Sequence, residues 1–205
     1  MKKLNYKKIR FSPEIEVEFP KLGEDDIESI LYGLGNPKFD LKGWDIDEEA
    51  SLDNGLEYKP SNENHLYFNK KSLDQIKKLL EKIKKNGGKI KQKCGLHIHI
   101  DVSKLSDIQK YDIIKRFMKK QSFIIKKFNV REYRLNIYCS ELPEDILNNE
   151  FKNIHERIGG HKQYALESSF FNTLEFRLFN GTLSYKTMVK NIKWLLKFVA
   201  GVNEK

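Results

Sequence analysis

Three stretches of this chain alternate apolar and polar residues with period two, and the polar side of each is made of groups that bind cations or phosphates. Residues 9–19 read IRFSPEIEVEF, with Ile15, Val17 and Phe19 on one face and Glu14, Glu16 and Glu18 on the other. Residues 94–101 read CGLHIHID, with Leu96, Ile98 and Ile100 set against His97, His99 and Asp101. Residues 173–180 read TLEFRLFN, with Leu174, Phe176 and Leu178 set against Glu175 and Arg177. Successive strand residues point to opposite sides, so this pattern predicts three half-buried strands, each with one chemically loaded face. Three carboxylates along one strand face repel one another by roughly tenths of a kcal/mol per pair. A face that only needed solvation would mix in Lys, Thr and Ser. A divalent cation turns the repulsion into coordination. Taken singly, each set has a plain explanation: a solvated strand face, two structurally satisfied histidines, a cross-strand ion pair. Their coincidence on three strands points to a site.

Shorter strands are expected near 43–49, 55–59, 133–139 and 163–168. Helices have clearer signals. Ser72 with Gln75 reads as a capping box, followed by Leu73, Ile76, Leu79, Leu80 and Ile83 at helical spacing and stopped by Gly87-Gly88. Ser106 with Gln109 reads as a second box. Its stripe is Ile108, Tyr111, Ile114, Phe117, Met118, Ile124 and Phe128. A third helix is expected from Pro143, carrying Ile146, Leu147, Phe151, Ile154 and Ile158, and a fourth from Ser184 to Val199. A short helix is expected over Asp25 to Leu34. Strands and helices mix without a steady strand–helix–strand rhythm. The expectation is an α+β fold: a largely antiparallel sheet with helices on one face.

The 205 residues suit one domain, 1–205. No 18-residue apolar run exists, so no transmembrane helix is expected, and the basic start MKKLNYKKIRF lacks the apolar block of a signal peptide. Cys94 and Cys139 are too few for a disulfide framework or a four-cysteine zinc site. A reducing, cytoplasmic setting and no membrane partner are expected. The net charge is +9, from 38 basic and 29 acidic residues, which suggests an anionic partner. Only six of the 38 are Arg, the residue that reads bases bidentately, so the Lys runs read first as solvated helix faces and nucleic acid as a disfavoured partner.

Glutamate-rich oxygen ligation with an imidazole suits Mg²⁺ or Mn²⁺. Carboxylates together with an Arg suggest magnesium nucleotide chemistry, in which metal bridges the phosphates and a guanidinium fork holds the transferring group. The chain has neither a Walker-type loop nor G-x-G-x-x-G, so the sheet itself must hold the phosphates.

Four segments in order resemble the amidoligase family, a branch of the glutamine synthetase-like carboxylate-amine ligases. They are Phe11-Ser12-Pro13-Glu14-Ile15-Glu16, then WDIDEEASLDNGLEYKP from Trp44 to Pro60, CGLHIHID at 94–101, and YALESSFFNTLEFRLFNGTL at 164–183. The resemblance spans nearly the whole chain. It implies a glutamine synthetase-like catalytic fold and an ATP-dependent ligase that joins a carboxylate to an amine through an acyl phosphate. It also implies Glu14, Glu16, Glu57, His97 and Glu175 as metal ligands. His99 and Arg177 are implied at the nucleotide phosphates, and Arg177 and Glu175 at the reacting phosphoryl group. Departures fall at Ser12 for the usual Gly, Glu49 for Asp, Glu167 for Asn, and Lys162 or Gln163 for Arg. They leave open whether the chain is an inactive member. The implied substrates are a small-molecule or peptide carboxylate and an amine. Glu18 and Asp101 are the candidates for the base that deprotonates the amine. Two rival readings stand beside this one: a metal-dependent hydrolase built on His97, His99 and Asp101, and a basic nucleic-acid-binding module using Tyr133, Tyr138 and Phe128 near Lys126, Lys127 and Arg131.

Overall fold

The computed structural model describes residues 4–31, 42–61, 65–148, 158, 163–169 and 172–202. Along them run β1 (Arg10–Glu18), α1 (Glu24–Leu31), β2 (Trp44–Glu48), β3 (Gly55–Pro60), β4 (Leu66–Tyr67), α2 (Lys70–Lys85) and β5 (Gly95–Asp101). Then come α3 (Asp107–Phe128), α4 (Glu132–Ile137), β6 (Leu166–Ser169), β7 (Thr173–Asn180) and α5 (Tyr185–Val199). The fold is α+β on a seven-stranded sheet, and the ladders β1–β3, β1–β4, β2–β3 and β6–β7 are antiparallel. The chain forms two compact units, one from residues 1–96 with 181–205 and one from 97–180. No helix of the described residues is long and apolar enough to cross a membrane.

In the first unit the strands run β2-β3-β1, with β4 also paired to β1. Register explains the loaded face. Ile15 lies opposite Tyr58 and Val17 opposite Leu56, all fully buried, so Glu16 opposite Glu57 falls on the other side. Asp47 of β2 is in register with Glu57 and extends that row. The helix α2 covers the apolar side with Ile76, Leu79, Leu80 and Ile83. The chain leaving it passes through Gly88, where a Cβ would come within 2.5 Å of Ile83 and 2.9 Å of Val17; only glycine fits there. The same argument holds at Gly181. Its N–H donates to the Cys94 carbonyl at 2.9 Å, and a Cβ would stand 2.8 Å from that oxygen. The helix α5 then buries Met188, Ile192 and Leu195 and packs against α2 and the 3-10 turn at Tyr6–Lys8.

One expectation in this unit is revised. The N-cap of α2 is Asn69, whose Oδ1 accepts from the Ser72 N–H at 3.0 Å. Ser72 is therefore inside the helix, and the helix starts earlier than the Ser72–Gln75 spacing implied. Asn is as good an N-cap as Ser, and the apolar stripe does not distinguish them. The first helix is described as far as Leu31, and Leu34 lies outside the described residues.

In the second unit the order is β5-β7-β6. Leu166 of β6 opposes Phe176 of β7 on the apolar side, and Glu167 opposes Glu175 on the other. The helix α3 covers the apolar side, with the Phe117 ring edge-on to Phe176 at 5.6 Å. Its Ser106–Gln109 capping box forms as expected. Its stripe differs: Ile108 is 76% exposed, while Ile113 and Gln121 are buried. Burial of Gln121 is satisfied locally, because its amide exchanges two hydrogen bonds with the Leu142 backbone, at 3.0 and 3.1 Å. The predicted strand at 133–139 is instead the helix α4. Tyr133, Leu135 and Ile137 alternate like a strand, but Arg134 is fully buried and Ile137 is 48% exposed. A six-residue window cannot separate the two periods. Where the third helix was expected, a 3-10 turn spans Glu144–Asn148, and residues 149–157 lie outside the described residues.

Candidate functional site

The first unit contributes a carboxylate row. Glu16 is 5% exposed, and its Oε2 accepts the Gly95 N–H. Directly across the ladder stands Glu57. Burial and the charges of Glu14 and Glu16, with a lesser push from Glu49, raise the Glu57 carboxyl to about 9, against a smaller pull from Lys59. Lys59 is itself ion-paired with Asp47. At neutral pH Glu57 therefore carries a proton, because a third negative charge beside Glu14 and Glu16 is too costly in a partly desolvated place. This is the arrangement a divalent cation relieves: oxygen donors only, and too many of them for their own mutual repulsion. The donor set fits Mg²⁺ or Mn²⁺ and not a thiolate site; Cys94 and Cys139 are both buried.

The proton on Glu57 has a consequence for stability. Between the ordinary value of 4.5 and about 9 the folded chain holds a proton that the unfolded chain has released. Stability from this group therefore falls as pH rises through that window. With chelator present, the melting temperature is expected to drop from pH 5 toward pH 9 and to drop less in Glu57→Gln, which should melt above wild type at the alkaline end. Parallel curves for the two proteins would show that Glu57 ionises normally.

The other first-strand carboxylate is committed elsewhere. Glu18 is 2% exposed and pairs with Lys91 at 2.8 Å. Glu49, a departure from the family pattern, accepts the Ser51 N–H at 3.1 Å and closes the β2–β3 connection. Ser12 is half-buried on β1, on the same side as Glu14 and Glu16.

The second unit contributes imidazoles around one carboxylate. Glu175 is 6% exposed. His97 Nδ1 lies 3.3 Å from its Oε1, and His99 Nε2 lies 3.8 Å from its Oε2. Arg177 Nη1 donates to the same Oε1 at 2.5 Å. His99 is fixed from behind by a 3.1 Å hydrogen bond between its Nδ1 and Thr173 Oγ1. Thr173, Glu175 and Arg177 share one strand face, so the Thr-x-Glu-Phe-Arg spacing delivers orienting hydroxyl, carboxylate and guanidinium together. Asp101 is turned to another task, with Oδ1 accepting the Ser103 N–H at 2.9 Å as the chain leaves β5.

Sequence reasoning missed two supports. Asp47, in register with Glu57, was legible in the alternation of WDIDE. Arg134 had no such signal. Its guanidinium is fully buried and donates to the Arg177 carbonyl at 3.0 Å. The Arg177 N–H still donates to Ala165, while the Ala165 N–H leaves the ladder for Ser140. Arg134 thus completes the edge of β7 where the pairing with β6 ends. Of the family departures here, Glu167 is buried opposite Glu175, Gln163 is exposed and gives its carbonyl to Ser140, and Lys162 lies outside the described residues.

The family model described as "Putative amidoligase enzyme" matches residues 65–164. The match contains the CGLHIHID segment, while the segments at 11–16 and 44–60 precede it and that at 164–183 begins at its last residue. No curated protein and no solved structure matches the chain. Over that stretch, just under half its length, the chain is similar to a family whose description names an amide-forming ligase, the same family its motifs resemble.

Proposed function

We propose that the chain is an ATP-dependent carboxylate-amine ligase, with residues 1–205 acting as one glutamine synthetase-like catalytic domain in the cytoplasm. The observation that carries the reading is the register of β1, β2 and β3, which sets Glu16, Glu57 and Asp47 in one cross-strand row of carboxylates, a donor set whose mutual repulsion a cation relieves. Glu14, Glu16, Glu57, His97 and Glu175 would hold the Mg²⁺. Bound Mg²⁺ would supply Lewis acidity and a template for the phosphates. His99, oriented by Thr173, and Arg177 would contact the nucleotide phosphates, and Arg177 with Glu175 would serve at the reacting phosphoryl group.

In the proposed sequence a substrate carboxylate oxygen attacks the γ-phosphorus, the bond to the β-phosphate oxygen breaks, and ADP leaves. The amine nitrogen then attacks the acyl carbon, phosphate departs, and the nitrogen gives up a proton. Arg177 neutralises charge gathering on the phosphoryl oxygens. The substrates proposed are small-molecule or peptide carboxylates and amines.

The deciding experiment measures ADP and phosphate release over a matrix of carboxylates and amines, with Mg²⁺ and with chelator, together with elemental analysis of the purified protein. Release that needs Mg²⁺, a carboxylate and an amine is expected. Stoichiometric zinc with amide hydrolysis would instead establish the hydrolase. Failure to bind Mg²⁺-nucleotide at all would identify an inactive member.

A further inference from the structure

The lysines of this chain are not spread evenly. In the first unit α2 carries seven lysines against Asp74 and Glu81, α5 carries four against no acid, and the 3-10 turn at Tyr6–Lys8 carries two. These packed segments therefore hold thirteen lysines and two carboxylates, a surplus of eleven, which exceeds the +9 of the whole chain. The helix α5 is the sharpest case. Trp194, Phe198 and even Asn191 are buried, and the residues it exposes are Lys186, Thr187, Lys190 and Lys193. With Lys197 these lysines follow a 4-3-4 spacing, which is one helix face. A solvated amphipathic helix would mix both signs there.

We propose that this helical layer is a docking surface for the phosphate backbone of double-stranded nucleic acid, bound without reading its bases. The layer contains lysine and no arginine, which suits point-charge contact with phosphates and not bidentate recognition of base edges or carboxylates. Its fully exposed residues include no aromatic ring for stacking on single-stranded bases: those of α5 are lysine and threonine, those of α2 are polar, and Tyr6 and Tyr185 are half-buried. The apolar face of α5 is filled by the core of its own unit, so it has nothing to insert into a lipid bilayer. From Lys186 to Lys197 is about 16 Å at 1.5 Å per residue, a length over which a duplex presents roughly ten phosphates. The layer covers the apolar side of β1, where Ile83 meets Val17, and so lies on the opposite side of that strand from Glu16. Docking there leaves the carboxylate row open.

The test is fluorescence anisotropy with the intact chain and two 20-base-pair DNA duplexes of unrelated sequence, titrated from low to physiological salt in chelator. Equal affinity for both duplexes and a steep loss with salt are expected. The triple variant Lys186→Glu, Lys190→Glu, Lys193→Glu should bind more than tenfold more weakly, with a salt slope smaller by about three. Replacing Lys70, Lys77 and Lys84 of α2 by Gln should also weaken binding severalfold. A charge-matched control in the second unit, Lys104→Glu, Lys119→Glu, Lys120→Glu, should change it less than threefold. Melting temperatures check that all three variants fold. The proposal is overturned by no duplex binding, by equal losses in the α5 and control triples, or by tighter capture of anionic vesicles or polyglutamate than of duplex. None of these outcomes bears on ligase turnover, which is measured without nucleic acid.

Discussion

Glu16→Gln is expected to abolish binding of Mg²⁺-nucleotide while leaving the metal-free protein as stable as wild type, or more so. The two halves of that result have separate causes. Glu16 accepts the Gly95 N–H through Oε2, and a glutamine amide oxygen in the same rotamer can accept it too. The backbone link is then kept and only the charge is lost. Without that charge, one of the contributions that lift Glu57 disappears. At alkaline pH, where Glu57 ionises, the variant is also spared a repulsive pair across the β1–β3 ladder, where like charges in register are destabilising by up to about 1 kcal/mol. For the cation the same change is severe, because a neutral amide is a poor substitute for a carboxylate ligand and Mg²⁺ sheds its water reluctantly. Affinity should fall by two orders of magnitude or more, on the scale of losing a charged ligand. Calorimetric titration with Mg²⁺ and a non-hydrolysable ATP analogue, beside thermal melts in chelator, reads both halves. Undiminished nucleotide binding in Glu16→Gln removes Glu16 from the site.

Why Glu16 could be read from the sequence and Arg134 could not follows from how each residue gets its position. A strand fixes its side chains by parity. Once Ile15 and Val17 are assigned inward, Glu14 and Glu16 go outward together, and the same holds for Glu175 and Arg177 around Phe176. Long helices with caps are equally local, which is why Ser106 was legible as an N-cap and Ser184 as the start of the last helix. The register that sets Glu57 against Glu16 is not local, and the family resemblance, not periodicity, singled out Glu57. Arg134 needed tertiary knowledge altogether. It sits on a helix of one and a half turns whose alternation imitates a strand, and its partner is the carbonyl of a residue 43 positions away. Glu18 and Asp101 show the limit of parity for a related reason. Parity put them on the loaded face, but Lys91 and the Ser103 N–H, supplied by loops, take them up.

The guanidinium at 177 gives the other large effect: Arg177→Lys should lose turnover on the order of a hundredfold and keep ATP affinity within a fewfold. Removal of an arginine that stabilises phosphoryl transfer costs about 10³ to 10⁵ in rate, and lysine restores the charge but not the fork. The backbone of residue 177 does not depend on its own side chain, since its N–H is held by Ala165 and its carbonyl by Arg134. A lysine there can still neutralise Glu175, so that carboxylate is not left buried without a cation. What lysine cannot do is donate to Glu175 and to two phosphoryl oxygens at once from a planar group. Ground-state binding of ATP depends on total charge and tolerates the exchange, whereas the transition state depends on direction. The split is read as kcat against KM for ATP under saturating carboxylate and amine, with Arg134→Met as a companion. That variant keeps the guanidinium at 177 but loosens the strand edge behind it, so its loss should be smaller and accompanied by a lower melting temperature. Wild-type turnover in Arg177→Lys would refute the role, because a residue that supplied only charge would not register the exchange.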